Sequence, residues 1–284
     1  MFGKKNQPRE YRGVIDEIRQ QQMKTKDMSL KGKLSYFWYY YKVHVLITII
    51  VIIVGGSWIH DIVTAKDYNF YGMMMNSAHL DSEILEAAFG EYAQLDMENY
   101  RCFIDTFSEL SYQGRSEYDM ATFQRVVALI QTGDLDVMVM DAQLFYNFSF
   151  NSMMMDLRNI FTEEELAQYD GNIYYIDYAK IRRAMEAESN GEDVMNDYPS
   201  LDDATPEKIA AEAESHRDSD SMAEPIPVGV FVGDSPLVQK TDCYSQLVPI
   251  YGVVATGHRT DEAKQYLEFM WDDELSFEDM IMTY

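Results

Sequence analysis

Two cysteines in 284 residues leave no room for a disulfide scaffold. Seven prolines in a chain that is 47% hydrophobic exclude a collagen-like or disordered polymer. Basic residues are scarce: 23 Lys and Arg stand against 48 Asp and Glu, a formal charge of −25. So acidic a chain repels a polyanion, and nucleic acid is excluded as a partner across its bulk. Catalytic signatures are also missing. His44, His60, His79, His216 and His258 are scattered with no HExxH or other metal-ligand spacing. No glycine loop of the phosphate-cradling kind occurs. Gly233-Asp234-Ser235-Pro236-Leu237 begins like a nucleophile elbow but has leucine where the second glycine belongs. Paired carboxylates are too common here to single out an acid and a base. The expectation is a non-catalytic protein without metal or cofactor.

Charge is distributed very unevenly. Residues 1–42 hold ten Lys and Arg and four Asp and Glu, net +6; residues 43–60 hold none; residues 61–284 hold thirteen and forty-four, net −31. The gap reads VHVLITIIVIIVGGSWI from Val43 to Ile59. At about 1.5 Å per residue it falls a little short of a hydrocarbon core of about 30 Å, and extension to Val63 closes the deficit. Tyr36, Phe37, Trp38, Tyr39, Tyr40 and Tyr41 form an aromatic belt on one side, with Trp58 on the other. Lys24, Lys26, Lys31, Lys33 and Lys42 flank the N-terminal end, so the positive-inside rule places 1–42 in the cytoplasm and 64–284 outside the cell membrane. Val63-Thr64-Ala65 would pass as a signal-peptidase site. The long basic region and long apolar run favour an uncleaved signal-anchor over 43–63, with no lipobox-like cysteine after it. Residues 9–24 are consistent with a short amphipathic helix on the inner leaflet, with a partner-binding helix, or with a solvated basic tail.

Beyond the span, strand and helix patterns alternate. Phe70–Met75 is a short apolar run followed by Leu80, Ile84, Ala87, Ala88, Phe89, Tyr92 and Leu95 at helical spacing. Tyr100–Phe107 alternates like a strand. Ser116-x-x-Asp119 resembles a capping box, and Gly133 sits where a glycine stops the helix it opens. Leu135–Asp141 reads as a strand buried on both faces. This order predicts an α/β fold with parallel βαβ units, a parallel or mixed sheet flanked by helices. Thr162-Glu163-Glu164-Glu165 is a second capping-box start, and Asn172–Tyr178, Pro227–Val232 and Leu247–Ala255 are strand-like. Thr260 is expected to cap a helix that buries Ala263, Tyr266, Leu267, Met270 and Trp271. From Glu186 to Glu224 thirteen acids stand against Lys208 and Arg217, which predicts a solvated insert over 186–224 with one helix at Glu207–Glu214. Met73–Met75 and Met153–Met155 are expected to fill core. Cys102 and Cys243 lie on the outer side, where a disulfide is permitted, although a strand position for Cys102 favours a buried thiol.

Residues 124–141, QRVVALIQTGDLDVMVMD, with Met154-Met155-Asp156-Leu157 and the segment TEEELAQY, resemble the middle of the first lobe of extracytoplasmic solute-binding proteins of ABC importers. Residues 252–271, GVVATGHRTDEAKQYLEFMW, are similar to the family's late strand and helix that close that lobe, and Pro227–Leu237 sits where the chain returns. The likeness covers most of 68–275. The basic, aromatic-rich start followed by one span resembles membrane-anchored Gram-positive variants. The resemblance implies a periplasmic-binding-protein-like lobe and a binding function linked to a transporter. The chain departs from the family between Tyr178 and Pro227, which is too short for a full second lobe and puts a two-lobed clamp in doubt.

In open α/β sheets ligands bind outside the carboxyl ends of the strands. That rule selects Asn76 and Ser77 after the first strand, Thr106, Phe107 and Ser108 after the second, Asp141 with Phe145 and Tyr146 after the third, and Tyr174 or Tyr175 as a cover. Each also has an ordinary reading as a cap or a packing residue. Two functions are therefore expected. One is a single-pass binding protein, tethered to the bilayer, for a small molecule or glycan. The other is an interaction subunit that keeps the fold and docks on another membrane or envelope protein.

Overall fold

The computed structural model describes residues 28–64, 66–111, 116–191, 205–245 and 247–282, together with Ile18, Arg19, Met23 and Lys26. The chain divides into two units, 1–65 and 66–284. In the first, helix α1 runs from Leu30 to Thr64. Its stretch Tyr41–His60 has a mean hydropathy of 2.1 and no buried residues, so by length and composition it is able to cross a membrane. The segment 9–24 lies almost wholly outside the described residues.

The second unit is a six-stranded mixed sheet with helices on both faces. Its strands are β1 (Tyr68–Met74), β2 (Arg101–Asp105), β3 (Val137–Asp141), β4 (Ile173–Asp177), β5 (Pro225–Phe231) and β6 (Pro249–Val253). Their order across the sheet is β2-β1-β3-β6-β5-β4. The helices are α2 (Ser82–Tyr92), α3 (Glu117–Thr132), α4 (Ala142–Phe150), α5 (Glu163–Ala167), α6 (Tyr178–Ser189), α7 (Pro206–Ser215), α8 (Pro236–Thr241) and α9 (Thr260–Trp271).

The first half follows the expected crossover logic. β1 pairs in parallel with β2 on one side and β3 on the other. The chain steps one way from β1 to β2 and the opposite way from β2 to β3. Right-handed crossovers then require α2 and α3 on opposite faces. The cores agree: Leu85 and Phe89 of α2 belong to one apolar cluster, Val126 and Ile130 of α3 to the other. β3 alternates in the same way, with Val137 and Val139 in the first cluster and Met138 and Met140 in the second. The second half is antiparallel throughout. β6 pairs with β3, β5 with β6, and β4 with β5, all antiparallel.

Local signals set the helix ends. Ser116 and Asp119 form the full capping box of α3, and Gly133 ends it at φ 73°, the left-handed region where glycine escapes the Cβ penalty. Thr162 and Glu165 form a second box at α5. The start of α9 is a correction: Thr260 is its first residue rather than its cap, and Arg259 occupies the cap position without a side-chain cap bond. The reason is tertiary. The Arg259 guanidinium is held by the buried Asp136 carboxylate, Nη1 to Oδ2 at 3.0 Å and to Oδ1 at 3.1 Å.

The first face packs around aromatic rings. Phe89 lies 4.6 Å from Phe70, 5.0 Å from Tyr266 and 5.6 Å from Phe269, between ring centroids. Such offset and edge contacts add to area burial. Cys102 and Cys243 are free and buried, and burial raises their thiols to about 12 and about 11. Both remain thiols at neutral pH and are poor nucleophiles. The acidic insert carries the helix expected at Glu207–Glu214, and its residues 192–204 lie outside the described residues. α7 is capped by Thr205, whose hydroxyl accepts from Lys208 N, has Pro206 in its first turn, and buries Ala213 against the second face.

Candidate functional site

The residues selected at the strand ends fall into two groups. Asn76, Ser77 and Thr106 join one self-bonded loop clamp. Asn76 has φ 59°, its Nδ2 donates to Leu110 O at 3.0 Å, and its Oδ1 accepts from Leu110 N at 2.8 Å. Ser77 Oγ donates to Met74 O and Thr106 O, and Thr106 Oγ1 donates to Leu80 O. These groups tie the β2–α3 connection to the end of β1. Asp105 and Arg125, which the pattern did not single out, extend the clamp. Arg125 donates to Asp105 at 2.7 Å, to Ser108 Oγ at 3.0 Å and to Tyr71 OH at 2.9 Å. Burial opposes ionisation of Asp105, but bonds from Ser108, Arg125 and Phe107 N prevail and hold its carboxyl below the usual range. Burial likewise lifts the Tyr71 phenol to about 12 against the pull of Arg125.

Asp141, Phe145 and Tyr174 belong to the second face. Asp141 caps α4, accepting from Gln143 N at 3.4 Å and from Val248 N at 2.9 Å. Phe145 is fully buried over β5 and β6, where Gly229 and Gly252 leave space for its ring. Tyr174, 1% exposed, meets Phe145 edge-on at 5.1 Å and stacks on His216 at 4.5 Å with the rings 10° apart. His216 connects this packing to an opening at the surface.

That opening is a cavity of about 420 Å³, bounded by α4, α6, α7 and the end of β4. Tyr146 and Phe150 of α4 form one wall, Lys180 and Arg183 of α6 the second, and Glu212 and His216 from α7 and its C-cap the third. Each wall has a local cause. α4 is directed by its Asp141 cap. α6 is fixed at its start by Asp177, whose carboxylate accepts from Ala179 N, Ala223 N and Glu224 N, and by the two-pronged Arg182–Glu224 pair at 2.7 and 3.0 Å. α7 is pinned to the sheet by a reciprocal pair: Tyr175 N donates to His216 O at 2.8 Å, and His216 Nδ1 lies 2.7 Å from Tyr175 O. A register irregularity between Tyr174 and Tyr175 turns this backbone from β5 to His216.

The electrostatics of the cavity are unusual for this domain. Three of its thirteen cations, Lys180, Arg182 and Arg183, fall within four positions. Arg182 pairs with Glu224, whereas Lys180 and Arg183 make no hydrogen bond or ion pair among the described residues. Glu212 accepts no side-chain hydrogen bond among them either. Burial raises the Glu212 carboxyl, and Lys180 opposes that rise. Burial lowers the His216 imidazole; the Tyr175 carbonyl works against it and Lys180 with it. His216 is therefore neutral at pH 7, with Nδ1–H donated to Tyr175 and Nε2 left as an acceptor. Among the described residues no group of three or more His, Cys, Asp or Glu could hold a metal ion. The strand-end aromatic Tyr146 and the dense basic triplet were the signals in the sequence that pointed here.

The lowered imidazole has a measurable result. The unfolded chain takes up this proton below about pH 6.5 while the folded chain resists it. Stability contributed by His216 is present above that pH and is lost as pH falls through the folded value. Asp177, Lys180, Arg183, Glu212 and Tyr146 are the ionisable groups that share the cavity with the ring, and Tyr174 stacks on it. Urea midpoints at pH 7.5 and 5.5 should drop more in the native chain than in His216→Gln. Equal drops in both would remove this role from His216.

Compared with known proteins, the chain matches no family model, no curated protein and no solved structure.

Proposed function

We propose that the protein is a single-pass, membrane-anchored binding protein, non-catalytic, with its acidic α/β domain on the extracytoplasmic side. The observation that carries this reading is the cavity of about 420 Å³, with aromatic walls and two cations lacking a bonded partner among the described residues, in a domain of net charge −31. Its size lies within the range of small-molecule sites, which combine apolar walls with a few placed polar groups. The basic flank before the apolar helix supports the orientation. The likeness to solute-binding proteins of ABC importers is supported by the parallel β2-β1-β3 start followed by an antiparallel strand. It is limited by the sheet itself: β4 and β5 extend the first sheet instead of building a second lobe.

The test is thermal unfolding of the full chain in lipid nanodiscs against sugars, peptides, amino acids and divalent ions. A ligand at about a hundred times its dissociation constant adds about 2.7 kcal/mol, a rise of about 5–10 °C for a domain of this size. A flat panel overturns small-molecule capture. The second reading, an interaction subunit of a membrane or envelope complex, is favoured by a different observation. Phe107, Tyr118, Met120 and Phe123, in the β2–α3 connection and the first turns of α3, are 62, 58, 59 and 44% exposed. Recovery of a defined membrane partner with the intact chain, lost on changing Phe107 and Met120 to serine, would select it.

A further inference from the structure

The charged groups of the cavity constrain what fits it more closely than its volume does. Of the acids and bases on its walls, Asp177 is ionised, has its oxygens filled by three backbone N–H groups and feels the charge of Lys180, and His216 Nδ1 is taken by the Tyr175 carbonyl. Three charges remain without a bonded protein partner among the described residues: Lys180 and Arg183, one turn apart on α6, and Glu212 on α7 across from them. Lys180 opposes the burial-driven rise of the Glu212 carboxyl and disfavours the charged form of His216, in keeping with its place across the opening from both. The remaining wall, Tyr146 and Phe150, is aromatic.

We propose, resting on the binding-protein reading above, that this cavity takes a small zwitterion with an apolar body, an α-amino acid or short peptide. Its carboxylate lies against Lys180 and Arg183, its ammonium against Glu212, and its side chain against Tyr146 and Phe150. A plain anion would satisfy the two cations and meet Glu212 as a like charge. A plain cation would satisfy Glu212 and leave both cations facing it. A neutral sugar would use none of the three. Only opposite charges on one small molecule complement all of them, and unmatched charges in a partly desolvated site cost affinity. The aromatic wall then favours an apolar side chain over a polar one. The volume admits a dipeptide as readily as a single amino acid.

The experiment is calorimetric titration of the full chain in nanodiscs with leucyl-phenylalanine, its N-acetyl form and its C-terminal amide. The free dipeptide is expected to bind about tenfold or more tighter than either blocked form, which is about 1.4 kcal/mol per charge contact. Glu212→Gln should bring the free dipeptide to the affinity of the N-acetyl form and leave that form unchanged. Lys180→Met with Arg183→Met should do the same relative to the amide. All three positions are exposed at the rim, and circular dichroism of each variant shows whether the fold is kept. Blocked forms that bind as tightly as the free dipeptide, or variants that leave its affinity unchanged, overturn the proposal. A response to sugars or divalent ions with none to leucyl-phenylalanine or to L-phenylalanine overturns the zwitterion while the binding function stands. No response to any class overturns both.

Discussion

Asp136→Ala should lower the unfolding free energy by about 3 kcal/mol, the lower end of the range for breaking a buried ion pair. Asp136 is 1% exposed; it accepts from Tyr71 N at 2.8 Å and from Arg259, whose side chain is 23% exposed. Burial raises the Asp136 carboxyl even though Tyr71 N and Arg259 act to lower it. The assembled pair therefore adds little net stability. Removal of the carboxylate is a different matter. It strands the Tyr71 amide in the core and leaves Arg259 with an uncompensated charge at the start of α9, while water at the guanidinium keeps the loss from the upper end. A melting temperature lower by about 6–12 °C is the expected readout. Asp136→Asn retains an acceptor for Tyr71 N and should lose less. Equal losses in the two variants would show that charge, rather than the hydrogen bond to β1, dominates. An unchanged midpoint in Asp136→Ala would discard the pin altogether.

The second large effect concerns the two glycines beneath Phe145. A Cβ on Gly229 would lie 2.6 Å from the Phe145 ring, 2.8 Å from Ile250 Cγ2 and 2.8 Å from the Tyr251 carbonyl oxygen. On Gly252 it would meet Phe145 at 2.5 Å and the Met154 sulfur at 3.1 Å, with no backbone atom among its closest neighbours. Both alanine variants should lose about 2–3 kcal/mol by overpacking. They should part company on repair. Phe145→Leu removes the ring and should recover most of the loss in Gly252→Ala. It should recover little in Gly229→Ala, whose added methyl still presses on the β6 backbone. Urea midpoints of the four single and double variants check this as a double-mutant cycle. Rescue of both glycines to the same degree would contradict the geometry.

These two sites show why Phe145 read as a ligand contact in the sequence and packs as core in the fold. An aromatic just past a strand end is compatible with either role, and the deciding fact is what faces it. Here that is a pair of glycines in β5 and β6, 84 and 107 residues further along the chain. Asn76, Ser77 and Thr106 followed the same course: their side-chain bonds are taken by Leu110, Met74 and Leu80. The cavity shares Tyr146 with the strand-end rule, but its charged walls come from α6 and α7, which that rule does not reach.

What the sequence determined by itself was local or compositional. The apolar stretch of α1, the βαβ beginning, the two capping boxes, the Gly133 stop and the valine-methionine alternation of β3 all follow from patterns within a few turns of chain. Those preferences act over the same few residues in which they are written. Tertiary structure alone decided the antiparallel second half of the sheet, the pairing of Asp136 with Arg259 across 123 residues, and the meeting of Lys180, Arg183, Glu212 and His216 around one opening. Such contacts depend on which distant segments exclude water together best, and a segment carries no record of its partner until the chain has closed around both.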